Sequence, residues 1–290
     1  MSGEIDSPKV RLELTSRPES ARLVRSMSTA AGEALGFDPE LLSDVNTAVS
    51  EACNNVIQHA YSDEPGPFSV DLALTAGGLE VRVRDHGRGI RQAAPEHDGL
   101  KVGLALMSAV ADRAEFVRVP EGGTEVRLFF RAAARPAAAT RAARPEEEGA
   151  GEPAQVRYAR LPAGLSGDVI LTVSPVDLLA PVLGGIGRAL APSAGFSLDR
   201  CADVYLVTDA LGAHVERAAE STSISVALGA HDQLLEFAVS PLRIGASRRL
   251  DGAEPQPRPE SLASLTDELT VSHVNGHETL RVAMRDHRRS

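Results

Sequence analysis

Residues 10–15, Val-Arg-Leu-Glu-Leu-Thr, alternate apolar and polar side chains with period two, the pattern of a strand buried on one face. After Ser16-Arg-Pro-Glu-Ser the spacing changes to three and four. Leu23, Val24, Met27, Ala31 and Leu35 predict a helix over about 18–35 that stops at Gly36. Asp38 and Pro39 then predict the N-cap and first residue of a second helix, in which Val45, Ala48, Val49, Ala52 and Val56 make a buried stripe running on towards Tyr61. A connection rich in Pro, Gly, Ser and Asp covers 61–67. Two alternating runs, 68–74 and 79–83, separated by Thr-Ala-Gly-Gly, predict a hairpin. A polar connection over 91–102 leads into a helix predicted for 102–112, and the runs 116–119 and 124–130 predict a last strand pair.

Residues 133–153 shift to Ala, Arg, Pro and Glu with no core pattern, which predicts a linker. It divides the 290 residues into units at 9–132 and 154–286. Beyond the linker the chain repeats itself at an offset of roughly 156 to 158 residues. Gly195-Phe196 echoes Gly36-Phe37, and 203–218 echoes the second helix, with Asp209 at the place of Glu51 and Ala213 at the place of Asn55. The runs 222–228 and 234–239 echo the hairpin, 262–269 the later helix, and 275–282 the last strand pair. A stretch rich in Pro, Arg and Ser, 245–261, stands where the first half has its polar connection. The alternative is an unrelated α/β domain with chance similarity.

Composition narrows the function classes. Tryptophan is absent and aromatic residues make up 3%, so the cores must be built from Ala, Val and Leu. A formal charge of -10 excludes a general nucleic-acid binder, which would draw most of its affinity from a basic surface. Cys53 and Cys201 stand alone and form no disulfide framework or zinc pattern. The first residues lack a basic region followed by an apolar run, and no segment approaches the length of a membrane span. The expectation is a soluble, cytoplasmic protein.

Two places carry candidate chemistry. Glu51 and Asn55 lie one helical turn apart beside the apolar stripe, so they share a polar edge. The Glu51 carboxylate can take a proton from a hydroxyl, and the Asn55 carbonyl is a hard oxygen ligand suited to Mg²⁺ holding phosphate oxygens. The second place is Asp85-His-Gly-Arg-Gly-Ile90, a carboxylate at a strand end followed by spaced glycines. Such a carboxylate can accept a hydrogen bond from an exocyclic amine, while glycines let the backbone approach a flat ring. Gly103 at the opening of the following helix would turn free N–H groups towards a phosphate, with Lys101 beside it. Taken singly, these features also fit a polar helix face, an Asp-x-Gly turn and a solvated lysine.

The order Glu51-x-x-x-Asn55, Asp85-x-Gly87-x-Gly89, Gly103, Gly-Gly-Thr124 resembles the Bergerat ATP-binding fold of the GHKL superfamily, which includes gyrase, histidine kinases and mismatch-repair ATPases. Within it, residues 50–61 look most like the anti-sigma-factor serine/threonine kinases of bacteria. The resemblance covers about 9–131. It implies a two-layer α/β sandwich, a mixed sheet backed by helices, with ATP against the helical face. By similarity, Glu51 would be the general base for phosphoryl transfer to a protein serine or threonine, and Asn55 the Mg²⁺ ligand. Asp85 would read the adenine amino group, Gly87 and Gly89 would shape the adenine pocket, and Ile90 and Leu104 would line the nucleotide. Lys101 and Gly103 would support the triphosphate under a lid of residues 91–102, with Thr124 beside Asp85.

Family members often carry Gly-x-Gly where this chain has Lys101-Val-Gly103. The implied partners are a sigma factor and an antagonist protein, with no nucleic acid and no membrane. An ATP-responsive binding module without catalysis is the alternative. The second half reads as a degenerate copy in tandem. Ala213 cannot ligate Mg²⁺, and Ser240 or Pro241, standing where Asp85 stood, offers no carboxylate. The resemblance also implies a dimer, either a homodimer or a pseudodimer within one chain.

Overall fold

The computed structural model describes residues 7–75, 77–88, 98–120, 122–131, 167–247, 250 and 262–287, with side chains from Gly103 onward in the helix that begins at Asp98. Gly89, Ile90, the connection up to 97, the linker 133–153 and most of 248–261 lie outside the described residues.

β1 (Lys9–Thr15) turns Val10, Leu12 and Leu14 inward and alternates them with half-buried positions. α1 (Ser20–Ala34) buries Leu23, Val24, Met27 and Ala31 and ends ahead of Gly36, whose φ of 76° turns the chain out of the helix. α2 (Pro39–Asn55) opens with the Asp38 carboxylate accepting the Leu41 N–H at 2.8 Å. The helix predicted as far as Tyr61 is α-helical only to Asn55, and Val56–Ala60 widen into a π-turn, a device frequent at functional sites. The hairpin is β2 (Pro67–Thr75) and β3 (Gly78–Asp85), and α3 (Asp98–Val110), β4 (Arg113–Arg118) and β5 (Thr124–Arg131) follow.

The second half then runs β6 (Val169–Ser174), α4 (Leu179–Leu190), α5 (Leu198–Ala218), β7 (Ile224–His231), β8 (Leu234–Leu242), α6 (Leu262–Leu265), β9 (Glu268–Val274) and β10 (His277–Arg285). The order of elements is that of the first half.

All ten strands join one sheet in the order β4-β5-β3-β2-β1-β6-β7-β8-β10-β9, so the halves mirror one another about the β1–β6 pair. At that seam Leu12 faces Leu171 and Val10 faces Val173, and all four side chains are buried. α1 packs on α4 across the same line, while α2 lies between α1 and α3, and α5 beside α4. One layer of helices therefore covers one face of the sheet. The opposite face of the first half carries ion pairs, Arg11 with Asp71 and Glu13, Arg82 with Glu80, and Arg127 with Glu125.

The mixed sheet that the resemblance implied is instead antiparallel at every pairing. Between β1 and β2 the two helices carry the chain out and back to the end it left, which makes the strands antiparallel neighbours. The single helix between β3 and β4 makes a parallel crossover, but β5 is inserted between those two strands and pairs antiparallel with each.

Candidate functional site

Asp85 ends β3, the central strand of the first half, and is only 4% exposed. Its Oδ1 accepts the Gly87 N–H at 2.8 Å and its Oδ2 the Thr124 N–H at 3.2 Å. Burial raises its pKa, and the N–H groups of Gly87 and Thr124 and the neighbouring His86 offset that only in part. Each oxygen keeps acceptor capacity beyond its one backbone partner.

The backbone around this carboxylate is packed too closely for side chains. A Cβ on Gly87 would lie 2.1 Å from the Ala60 carbonyl oxygen at the end of the π-turn, and a Cβ on Gly123 would lie 2.1 Å from the Asp85 carbonyl oxygen. Gly123 also holds φ at 91°. The Arg88 N–H closes the corner on the Ala60 carbonyl at 3.0 Å. Tyr61, a helix end in the sequence, contributes its hydroxyl. That hydroxyl accepts the His86 N–H at 3.0 Å and donates to the Pro67 carbonyl, tying the Asp85 turn to the start of β2. The run of small and turn residues at 60–67 beside an aromatic was the only signal for it.

Glu51 and Asn55 lie half-buried on α2, one turn apart, as the spacing predicts. The α3 backbone meets Glu51 so closely that a Cβ on Gly103 would sit 2.1 Å from Glu51 Oε1. This corrects the placement of Gly103. α3 opens at Asp98, so Gly103 falls in its second turn, where its N–H no longer faces outward, and its missing side chain leaves the Glu51 carboxylate beside the helix backbone. Leu104 is half-buried and packs against the core, and Thr124 is buried beside Asp85. Lys101 lies within α3, its side chain outside the described residues, as are Gly89 and Ile90.

These residues fit a magnesium nucleotide. The lone carboxamide of Asn55 suits an ion that keeps water and phosphate oxygens as its other ligands, and the Asp85 carboxylate keeps acceptor capacity suited to an exocyclic amine. Among the described residues no group of three or more His, Cys, Asp or Glu side chains gathers as an all-protein metal cage. Two cavities, of about 500 and 390 Å³, lie elsewhere: one on the open sheet face of the second half, the other at the seam, where Arg17 is among its lining residues.

In the second half the helix caps put the corresponding positions one residue beyond Asp209 and Ala213. Gly195 holds φ at 77° as Gly36 holds 76°, and Ser197 caps α5 through the Arg200 N–H as Asp38 caps α2. Counted from these caps, Val204, Val207 and Leu211 take the places of Val45, Ala48 and Ala52, all buried. Ala210 then stands for Glu51 in place of Asp209, and His214 for Asn55 in place of Ala213. Strand register keeps Pro241 at the place of Asp85, since Val226 faces Val239 as Val70 faces Val83.

A different carboxylate fills this corner. Glu278, on β10, is 1% exposed, its Oε2 accepts the Ser247 N–H at 3.0 Å, and its Oε1 accepts the Gly245 N–H. Burial alone would raise its pKa, but those N–H groups, the Ser247 hydroxyl and His273 more than offset it and hold the group below its ordinary value. Buried His214 meets the Ser247 hydroxyl at 3.3 Å, and burial lowers its pKa. The turn after β8 thus sits where the first half leaves Asp85 open.

Comparison with known proteins agrees with this geometry. Residues 14–130 match the family model described as the histidine kinase-like ATPase domain. That stretch, with its antiparallel sheet and helical layer, is similar to this ATPase domain, and part of it is similar to the RsbW kinases. The serine-protein kinases RsbW of Bacillus thuringiensis and Bacillus mycoides are each 29% identical over 79 residues, 27% of this chain and 49% of theirs. The chain therefore spans about half the length of the curated relatives it matches. A crystal structure of RsbU and RsbW domains from Mycobacterium tuberculosis aligns over 97% of this chain and 87% of its own at 10% identity, with a TM-score of 0.26. Among the described residues no helix is long and apolar enough to cross a membrane.

Proposed function

We propose that the first half binds Mg-ATP and acts in the cytoplasm as an anti-sigma-factor-type serine/threonine kinase, phosphorylating an antagonist protein and sequestering a sigma factor, while the second half has kept the fold and lost the nucleotide. The observation that carries this reading is Asp85. It is a buried carboxylate with acceptor capacity to spare, held in a glycine-lined turn by the N–H groups of Gly87 and Thr124. An adenine amino group supplies the missing donor. Asn55 would hold the Mg²⁺, whose chemistry is to bridge and neutralise phosphate oxygens. Glu51, one turn earlier on the same helix edge, accepts the proton of the attacking serine or threonine hydroxyl at its carboxylate. The RsbW names of the relatives support kinase activity and the partner class.

A second reading, ATP-gated partner binding without transfer, draws on the contact between Glu51 and α3, since the base is covered by the backbone at Gly103. Titration calorimetry with Mg-ATP, followed by transfer assays on candidate antagonists, separates the two. Heat of binding with transfer that disappears in Glu51→Gln is the expected result. Binding with no transfer from the intact chain supports the second reading, and no binding removes both.

A further inference from the structure

The halves share their helical layer, yet the outward faces of α2 and α5 differ. On α2 the outward positions carry Pro39, Ser43, Asn46, Thr47, Ser50 and Asn54; Pro39, Ser43 and Asn54 are exposed, Thr47 is half-buried, Asn46 turns to Thr29 on α1, and the Ser50 hydroxyl is buried. At the corresponding places α5 carries Leu198, Ala202, Tyr205, Leu206, Asp209 and Ala213. Leu198 is 90% exposed, Tyr205 54% and Leu206 49%, three of the five large apolar side chains left in solvent among the described residues. At helical spacing they form one stripe over the first three turns. A single exposed leucine needs no explanation, but an apolar stripe on a face that the same fold keeps polar elsewhere in the molecule does.

The charges beside the first three turns of this stripe are acidic, and Arg217 follows only in the last turn. Asp199 borders the stripe, and Asp209 and Glu216 continue the same face towards the C-terminal end. None of the three takes part in an ion pair among the described residues, whereas Arg200 is already committed to Asp203 and Asp267. A second copy of the chain laid on this face would bring acidic groups of its own.

We infer that the outer face of α5, through Leu198, Tyr205 and Leu206 with Asp199 and Asp209, docks a partner protein that presents an amphipathic helix whose apolar stripe is bordered by lysine and arginine. A basic helix fits both features, since it buries the exposed leucines and tyrosine and pairs the uncommitted carboxylates. The inference does not depend on the nucleotide reading. The surface lies on the half without Asp85, so it can fail while ATP binding persists, or survive if ATP binding fails.

The test uses the full chain expressed in its own cells, with a benzophenone amino acid replacing Tyr205 in one version and Thr47, at the α2 position that matches Leu206, in another. The expected result is an adduct at position 205 and none at 47, with the cross-linked peptide mapping to a helix rich in Lys and Arg beside its apolar residues. Adding Leu198→Ser and Leu206→Ser should cut the adduct about tenfold, as removal of central apolar anchors does. Asp199→Lys with Asp209→Lys should do the same, with Mg-ATP affinity unchanged in both variants. No adduct at 205, equal adducts at both positions, an adduct to an acidic segment, or one only to this chain or a second copy of it would overturn the inference.

Discussion

Asp85 in the first half and Glu278 in the second are buried carboxylates at the same corner of the sheet, and the two are held in opposite states. Asp85 has two N–H partners and a raised pKa, whereas Glu278 has two N–H groups, a serine hydroxyl and an imidazole, and a lowered one. The difference lies in what the surrounding loop does. After β8 the chain folds back at Gly245–Ser247 and spends the carboxylate on its own backbone. After β3 the turn is tied away to the π-turn and Tyr61, and the carboxylate keeps capacity for a ligand. The carboxylate has also changed strand, from the central β3 to the neighbouring β10. The same order of elements thus leaves acceptor capacity at the buried carboxylate in one half and closes it with the chain's own backbone in the other.

The comparison breaks most sharply at the base. Glu51→Gln should lower phosphoryl transfer by about 10²–10⁴-fold, the usual worth of a positioned general base, while Mg-ATP affinity stays within about threefold. Asp209→Ala, on the exposed face of α5, should leave transfer unchanged. If transfer tracks Asp209, the second half holds the chemistry and the assignment is inverted.

The two carboxylates themselves sharpen it next. Asp85→Ala should weaken Mg-ATP binding by about 100-fold in calorimetry, because a charged acceptor of a buried hydrogen bond is removed. Glu278→Ala should leave ATP affinity unchanged but cost about 2–4 kcal/mol of unfolding free energy in urea, since the Gly245 and Ser247 N–H groups lose their acceptor. Equal effects of both changes on ATP affinity would mean that both corners bind nucleotide.

A smaller effect is expected at the contact between α3 and Glu51. Gly103→Ala places a methyl group against Oε1, so the carboxylate or the helix must shift. Transfer should fall about tenfold with little change in ATP affinity, as expected when a catalytic group is displaced by a fraction of its working distance. If ATP affinity falls instead and transfer per bound ATP is kept, Gly103 serves the triphosphate as first read.

Much of the fold was legible because local rules and tertiary packing agree. Asp38-Pro39 and the stripe from Val45 to Val56 define α2 almost alone, and Thr-Ala-Gly-Gly fixes the β2–β3 hairpin. Three things were not legible. The repeat has no single offset, since the caps and the strands of the two halves are separated by different lengths of chain, so Asp209 and Ala213 were placed one residue off. Gly99 and the polar residues before it hid the first turn of α3, which moved Gly103 from a helix opening to a helix interior. Glu278 could not be found by position at all, because a carboxylate that moves to a neighbouring strand leaves its old place, Pro241, looking merely empty.

Acidification should separate the two corners by the smallest of these effects. The pKa of Asp85 in the fold lies above its unfolded value, so its contribution to stability is present below the unfolded pKa and is lost as pH rises through the folded one. Protonating it therefore favours the free fold but removes the acceptor that adenine needs. Glu278 has the opposite sign: its contribution is present above its unfolded pKa and is lost only as pH falls through its depressed folded value. Mg-ATP affinity should thus begin to fall on the acid side, by about threefold near the raised pKa of Asp85, while near-ultraviolet circular dichroism stays native. The Asp85→Asn variant, neutral at every pH, should lose that acid limb. Affinity and fold lost together at one pH would instead tie binding to global stability rather than to this carboxylate.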